Sequence, residues 1–448
     1  MRHAREMLED ELASVSDKSA EGIAEVIQKL VHTGRLEVGT RLPPVRDIAK
    51  TVGVSPSTIG QAWKRLSEHG VIETKGRLGT IVLERESRQP WRQFRSVSGV
   101  ALPCDLSTGF PDPSLLPDLA PYLRAAADGQ NSFGYDSVAL VPGLREALQH
   151  EVPADVADDN VLLASHVIGL LAEVLPVIGG FRSGVIVGAP EFAPYLDLLE
   201  RAGKRPCPVE LDDEGLRFDQ FEAAVDAGAT AALLQPRVHN PTGTMMSPER
   251  LRRIALLCAE RNVLIIESDH FGALSASPRM TAGRWAPEQT LYIRAFSKDL
   301  HPDLRVVAAI GSRTIIQPVL RRRVGGYDVS GLNQVLLRLM LTSPDARETT
   351  RRAKAEYDRR RSLFIGELAR NGIQVVSRDG FNVWVPVRSE QDALIHLAYN
   401  GISAAPGSAF QVDPGEPHLR VSIAAMGDNA VDIGRRVAAA AGAKRTKG

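Results

Sequence analysis

The sequence predicts a mixed α/β protein: a small helical module at the N-terminus, then a larger domain built on a mostly parallel sheet. Three observations carry this. Residues 16–84 read as short amphipathic helices closed by a hairpin. Residues 85–104 show no periodicity. From residue 105, apolar runs such as "NVLLAS", "GVIVGAP", "AALLQP", "NVLIIES", "LYIRAF" and "RVVAAIG" alternate with helical stretches. Such runs are strands buried on both faces beneath covering helices. A chain of 448 residues also exceeds what one core supports.

The helical module is built element by element. Ile23, Val26, Ile27, Leu30 and Val31 form one apolar helical face, with Gly34 as its stop. "LPPVRDIAKTVG" is a short second helix ended by Gly53. Ser55 is a good N-cap for a third helix and Pro56 fits its first position. Ile59, Ala62, Trp63 and Leu66 are its inner face. The tight "TVGVS" turn between the last two makes a helix-turn-helix. "VIETKGRLGTIVLE" reads as a hairpin with Lys75 and Arg77 at its tip, which completes a winged helix.

The whole chain has a formal net charge of +0, so any nucleic-acid site must be a local patch. Such a patch is present. Between Arg35 and Arg77 eight basic residues face four acidic ones, a net +4. A basic winged helix suits phosphate contacts, with the third helix in the major groove of double-stranded DNA. The plainer alternative is a packing or dimerisation module.

Hydrophobic residues are 44% and charged residues 24%, ordinary for a globular protein. Cys104, Cys207 and Cys258 form neither a disulfide framework nor a metal-ligand spacing. No signal-peptide core and no membrane-spanning run is present, so the expectation is a cytoplasmic protein without a membrane partner. Residues 85–104 are read as a linker.

In parallel sheets ligands bind beyond the carboxyl ends of the strands. Asn240, Ser268, Asp269, His270 and Lys298 all fall there, and Arg305 opens the next strand. A desolvated lysine can form a Schiff base. An arginine grips phosphate, and a carboxylate and an asparagine can engage a pyridine ring. Taken alone, Lys298 reads better as a solvated loop residue, and Arg305 as half of a surface salt bridge; the surrounding sequence shifts the balance.

Two resemblances sharpen this. "LPPVRDIAKTVGVSPSTIGQAWKRLSEHGVIETKGRLGTIV" resembles the DNA-binding domain of the GntR superfamily. It implies DNA contacts from Arg46, Ser55, Ser57, Thr58, Lys64, Lys75, Arg77 and Thr80, although the arginine that usually follows the capping serine is missing. "HNPTG" at 239–243, "RAFSKDLHPDLR" at 294–305 and "GISAAPGSAF" at 401–410 resemble fold-type I aminotransferases that use pyridoxal 5'-phosphate. That resemblance implies Lys298 as the Schiff-base lysine and Asn240 beside the ring oxygen. It implies Arg305 on the phosphate, Phe192 stacked on the ring, and Tyr135 reaching the cofactor of a partner subunit. Arg420 would hold a substrate carboxylate. A winged helix followed by such a domain is similar to the MocR type of regulator. This implies a homodimer, an aminotransferase-like domain over 105–445, and a smaller α+β subdomain over about 350–445.

The cofactor site departs from that pattern. The phosphate turn, usually Ser/Thr-Gly-Ala, is Ser165-His166-Val167. The carboxylate on the ring nitrogen is replaced by Ser268 unless the register shifts to Asp269. Ala295 stands where a phosphate-binding serine is common. His166 and His270 are expected to tune or replace cofactor contacts rather than bind metal, since no second ligand lies at metal spacing. The resulting expectation is a DNA-binding transcriptional regulator that binds pyridoxal 5'-phosphate and senses a small amino compound. A working aminotransferase with an accessory DNA-binding domain, and a regulator that has lost the cofactor, stay open at this level.

Overall fold

The structure is a computed structural model. It describes residues 8, 11–12, 15, 17–32, 35–37, 39–68, 71–74, 79–82, 102–129, 140–153, 160–180, 182–323 and 329–442. The chain divides into two compact units, Met1–Pro90 and Trp91–Gly448.

The first unit packs helices Ala20–His32, Val45–Val52 and Pro56–Glu68 around Ile23, Ile27, Leu30, Ile48, Ile59, Ala62, Trp63 and Leu66. Gly53 ends the second helix in the left-handed region (φ 74°) that glycine adopts without strain, and its N–H donates to the Ala49 carbonyl. The same helix end receives Lys18, whose Nζ donates to the Val52 carbonyl at 2.9 Å. The third helix starts where Ser55 caps it: the Ser55 hydroxyl accepts from the Thr58 N–H at 3.1 Å. Strands β1 (Ile72–Thr74) and β2 (Thr80–Val82) pair antiparallel with Glu73 opposite Ile81. The expected stop Gly34, the hairpin tip with Lys75 and Arg77, and residues 83–101 of the linker region lie outside the described residues. One part of the core was not anticipated. Leu8 and Leu12 are buried against the first helix, so the module begins before residue 16. Their spacing, with Val15 at i+7, is the helical signal the sequence offered.

The second unit opens with β3 (Cys104–Asp105) and then builds one large sheet. Its strands are β4 (Val161–Ala164), β5 (Gly184–Ala189), β6 (Arg205–Asp212), β7 (Gly215–Leu216), β8 (Ala229–Leu234), β9 (Leu264–Asp269), β10 (Thr290–Ala295) and β11 (Val307–Gly311). The order is β4-β11-β10-β9-β8-β5-β6-β7. β5, β6, β8, β9 and β10 run parallel, while β11 runs against β4 and β10. Side chains alternate between two cores. Ile266, Ile293 and Ala309 pack with helices Val167–Val174 and Ala193–Arg201 on one face. Ile265 packs with helices Phe218–Asp226 and Pro248–Arg261 on the other. That other face also holds Tyr292 and Ala308 against helices Leu144–Glu151 and Gly331–Thr342.

A smaller α+β subdomain follows, entered by the 27-residue helix Pro344–Arg370, somewhat earlier than residue 350. β12 (Asn382–Pro386), β14 (Ala405–Pro406) and β15 (His418–Ser422) form its sheet in the order β12-β15-β14, backed by helices Glu390–Tyr399 and Ala430–Ala440. β13 (Ile402–Ser403) pairs in parallel with β3. The entry strand of the unit is therefore bound to its C-terminal subdomain.

Removing a buried leucine side chain costs roughly 2–5 kcal/mol. Leu12→Ala is expected to lower the thermal unfolding of the first unit in the full chain by that order and to weaken DNA binding. Glu11→Ala, which removes a surface pair with Arg35, should change the melt little.

Candidate functional site

The outer face of the helix-turn-helix carries Arg46, Ser57 and Lys64, all exposed. Arg65, also exposed, pairs with Glu21 at 3.2 Å. Ser55 and Thr58 are exposed and half-buried; their hydroxyls lie 2.9 Å apart, so both serve the cap first. Thr80 corrects the sequence reading. It is 8% exposed, and its hydroxyl meets that of Thr74 across the hairpin at 3.1 Å. It braces the wing and is not available to DNA. Arg41, counted earlier only in the charge sum, is exposed and lies over Gly79. There φ is +82°, and a Cβ would come within 2.7 Å of the guanidinium.

In the second unit the carboxyl ends of β4, β5, β8, β9 and β10 lie on one side of the sheet. Lys298 follows β10, half-buried by surface area yet walled in by protein. Its Nζ sits 4.2 Å above the Phe271 ring and 5.6 Å from that of Phe381. Burial, and then the charge of Arg420, pull its amine down to about 7. A lysine in that state is largely available as a nucleophile near neutral pH.

Arg420 lies on β15 and is 1% exposed. It donates to the Asn240 side-chain oxygen at 3.3 Å and to the Ser107 carbonyl, with its guanidinium 4.7 Å over Phe410. Because Arg420 takes the oxygen of the Asn240 amide, the nitrogen of that amide is the end left to act as a donor. Phe192 follows β5, half-buried, with its ring edge-on to Tyr195 at 5.2 Å. Lys298, Asn240 and Phe192 thus follow the carboxyl ends of β10, β8 and β5, and Arg420 on β15 reaches the same region through Asn240.

The end of β9 decides what the site lacks. Strand alternation turns Ser268 and Asp269 to opposite faces. Ser268 meets Tyr195 and His270: its hydroxyl accepts from the Tyr195 hydroxyl at 3.0 Å and lies 3.0 Å from His270 Nε2. The Tyr195 hydroxyl is 2.7 Å from the same nitrogen. Burial, with Lys298 adding to it, pushes His270 down to about 3, so this trio is neutral. Asp269 does not take over. Its carboxylate accepts from Arg237 at 2.5 Å, from the Tyr292 hydroxyl at 2.9 Å, and from the N–H groups of Phe271 and Gly272 at 3.0 and 2.9 Å. Four donors saturate it, and the expectation that it contacts the cofactor is corrected.

A second buried pair lies beside it. Arg294, fully buried, donates to Asp299. Gly272, at φ +47°, packs so close that a Cβ would overlap the Arg294 guanidinium at 1.7 Å. Arg237, Arg294, Asp299 and Tyr195 were not singled out from sequence. Only the presence of arginines within apolar strand surroundings signalled two of them.

The phosphate turn is also rebuilt. β4 ends at Ala164, opposite Val307 of β11, so Ser165 and His166 leave the sheet at the end where Arg305 leads into it. Ser165 is half-buried and Arg305 is exposed with φ 48°. His166 caps the helix Val167–Val174: its Nδ1 accepts from the Gly169 N–H at 2.8 Å. The proton of the neutral ring is then on Nε2, a donor suited to an anion. Tyr135 lies outside the described residues.

This architecture, a winged helix joined to an aminotransferase fold with a lysine at the end of β10, defines the class. Residues 19–82 match the bacterial regulatory proteins of the gntR family, and residues 103–436 match the aminotransferase class I and II family. The chain belongs to the MocR-type transcriptional regulators, in which a GntR helix-turn-helix precedes an aminotransferase domain. It is 30% identical over 427 residues to the vitamin B6 salvage pathway transcriptional repressor PtsJ of Salmonella typhimurium, covering 93% of this chain and 97% of that one. It is 26% identical over 466 residues to the regulator TauR of Rhodobacter capsulatus, covering 92% and 94%. Among solved structures it is similar to LysN, the alpha-aminoadipate aminotransferase of Thermus thermophilus, with TM-score 0.69 and 22% identity over 77% of this chain and 93% of that one. The kynurenine aminotransferase of Pyrococcus horikoshii gives TM-score 0.68 and 19% identity over 77% and 91%. Fold-type I aminotransferases are pyridoxal-phosphate proteins, which supports that cofactor class in general. No helix among the described residues is long and apolar enough to cross a membrane.

Arg46→Ala and Lys64→Ala should each weaken binding across duplex sequences and lower the salt slope by about one, in a titration over ionic strength. Thr80→Val should leave that slope unchanged. Gly272→Ala should sharply lower the yield of folded protein or its melting temperature, because the added carbon displaces Arg294 from Asp299.

Proposed function

We propose that this regulator binds pyridoxal 5'-phosphate at Lys298 and reads a small amino compound through Arg420, acting as a cytoplasmic homodimer on duplex DNA. The observation that carries the reading is Lys298 itself: a walled-in amine lowered to about 7 at the end of β10, with Asn240, Arg420 and Phe192 around it.

The cofactor supplies an aldehyde that condenses with amines, and a ring that draws electrons from the adjacent carbon. The chain supplies the rest. Lys298 presents a neutral amine above about pH 7. Asn240 would donate its amide N–H to a ring oxygen. Phe192 would cover a ring face. Arg305, Ser165, His166 Nε2–H and the first N–H groups of helix Val167–Val174 make a cationic and dipolar seat for a phosphate. Arg420 offers a guanidinium to a carboxylate.

Ser268, His270 and Tyr195 would meet the ring nitrogen by the family resemblance, and none of them carries charge. Without a carboxylate, nothing there favours a protonated ring nitrogen, and the electron sink that transamination needs is weak. Binding requires no such sink. An effector that distinguishes two arrangements of the protein shifts their populations by its differential affinity alone. Sensing is therefore favoured over turnover.

Purified protein mixed with pyridoxal 5'-phosphate should acquire a visible absorbance band that borohydride bleaches and that Lys298→Ala lacks. Its rate of appearance should rise from pH 6 and level off above a midpoint near 7, as the amine loses its proton. A protein that stays colourless would turn the assignment toward a pocket for another ligand. An amino compound should change that spectrum and the DNA affinity while keto acid stays at background. Ser268→Asp should add one equivalent of keto acid per subunit. Multiple turnovers by the unaltered protein would establish an enzyme instead.

A further inference from the structure

Behind Phe192 and Asn240 lies a closed polar cluster that takes no part in the contacts above. Glu191 is 1% exposed and His239 5%. They sit at the turns that follow β5 and β8, immediately before Phe192 and Asn240.

The hydrogen bonds fix where the protons are. Glu191 Oε1 accepts from the Phe192 N–H at 2.8 Å and from the Gln235 amide at 2.5 Å. Oε2 accepts from the Gly188 N–H at 3.0 Å and lies 3.9 Å from His239 Nε2. On the other side of that ring, Nδ1 is 2.9 Å from the Thr242 hydroxyl. Thr242 donates its own proton to Thr244 Oγ1 at 3.0 Å. Toward His239 it must therefore accept, so Nδ1 carries the proton and Nε2 is a bare lone pair. Nε2 has no hydrogen-bond partner among the described residues. A buried lone pair calls for a donor, and Glu191 Oε2 is the polar atom facing it. Both side chains line a cavity of about 10 Å³ together with Gly188, Gln235 and Thr244, about the room one water needs. Gly188 lets the ring come this close: a Cβ there would be 2.7 Å from Nε2.

We propose that Glu191 keeps its carboxylic proton in the folded protein and donates it, through one water, to His239 Nε2, and that this strut positions Phe192 and Asn240 on the two walls of the cleft. Glu191 and His239 are positioning residues; neither faces the ligand. The titratable groups facing Glu191 are His239 and the Tyr195 hydroxyl, which is itself held protonated by burial. Among the described residues no lysine or arginine pairs with Glu191. Burial raises Glu191 from 4.5 to about 8 and lowers His239 from 6.5 to about 3, so both are neutral in between. The sign of the linkage follows. Folding raises the affinity of Glu191 for its proton, so its contribution to stability is fully present below pH 4.5 and is lost as pH rises through about 8. Above that, a carboxylate faces a lone pair and the strut fails.

The ligand-free full chain tests this. Infrared spectra at pH 6 should show the carbonyl stretch of a protonated carboxyl, sensitive to deuteration. It should titrate near pH 8 and be missing from Glu191→Gln. An ionised carboxylate at pH 6 overturns the proposal. His239→Leu should keep the band and move it to higher frequency, because the acceptor is gone; an unmoved band removes His239 from the strut. Hydrogen exchange of residues 188–192 and 235–240 should rise above pH 8 beyond the intrinsic rate increase. Unchanged protection there would refute the positioning role. Only the use of the walls for a cofactor rests on the function proposed above. A protein that shows band and exchange as expected yet takes up no pyridoxal 5'-phosphate at any pH would refute that reading and not the strut.

Discussion

The ligand end of the second unit depends on the carboxylate of Asp269. It ties together three pieces of chain: Arg237 from the loop after β8, Tyr292 from β10, and the N–H groups of Phe271 and Gly272 that begin the next turn. Phe271 is the ring over which Lys298 sits. Removing one partner of such a buried pair strands the other charge, at about 3–5 kcal/mol. Asp269 therefore fixes the position of Lys298 without touching any ligand. Its neighbour Ser268, one residue earlier and on the opposite face, is left to the cleft. The two-residue period of a strand separates the structural carboxylate from the position where a catalytic one would stand.

The fold was largely legible because its signals are local. Buried parallel strands read as unbroken apolar runs, and the helix-turn-helix announced itself through Ser55, Pro56 and Gly53. The positions of Lys298, Asn240 and Arg420 followed from their place after strands or from a motif. What escaped depended on long-range pairing. Nothing local tells that Arg237 reaches Asp269, 32 residues away, or that Tyr195 meets Ser268, 73 residues away. Thr80 was misassigned because a wing threonine looks the same in sequence whether it faces DNA or its own hairpin. Asp269 was left open for a related reason: which of two adjacent residues faces a cleft is set by register, and register is a property of the sheet. Leu8 and Leu12 are hard to read as core because the acidic run Glu9, Asp10 and Glu11 separates them.

The two histidines nearest the ligand end illustrate how context sets a role. His166 accepts through Nδ1 and so presents a proton outward. His270 is drawn into a neutral trio with Ser268 and Tyr195. In the function proposed above, the first would enrich the anion seat and the second would withhold charge from the ring-nitrogen edge. Such a pocket would suit holding an anionic aromatic ligand better than moving electrons through it.

The parallel pairing of β3 with β13 has a mechanical meaning. The first secondary structure after residues 83–101 is sewn to the C-terminal subdomain. Leu106 also accepts from the Ser422 N–H at 2.9 Å, and Arg420 donates to the Ser107 carbonyl. Arg420 and residues 104–107 are thus joined by hydrogen bonds within one set of strands. A carboxylate that drew on Arg420 would act directly on the segment that opens the second unit.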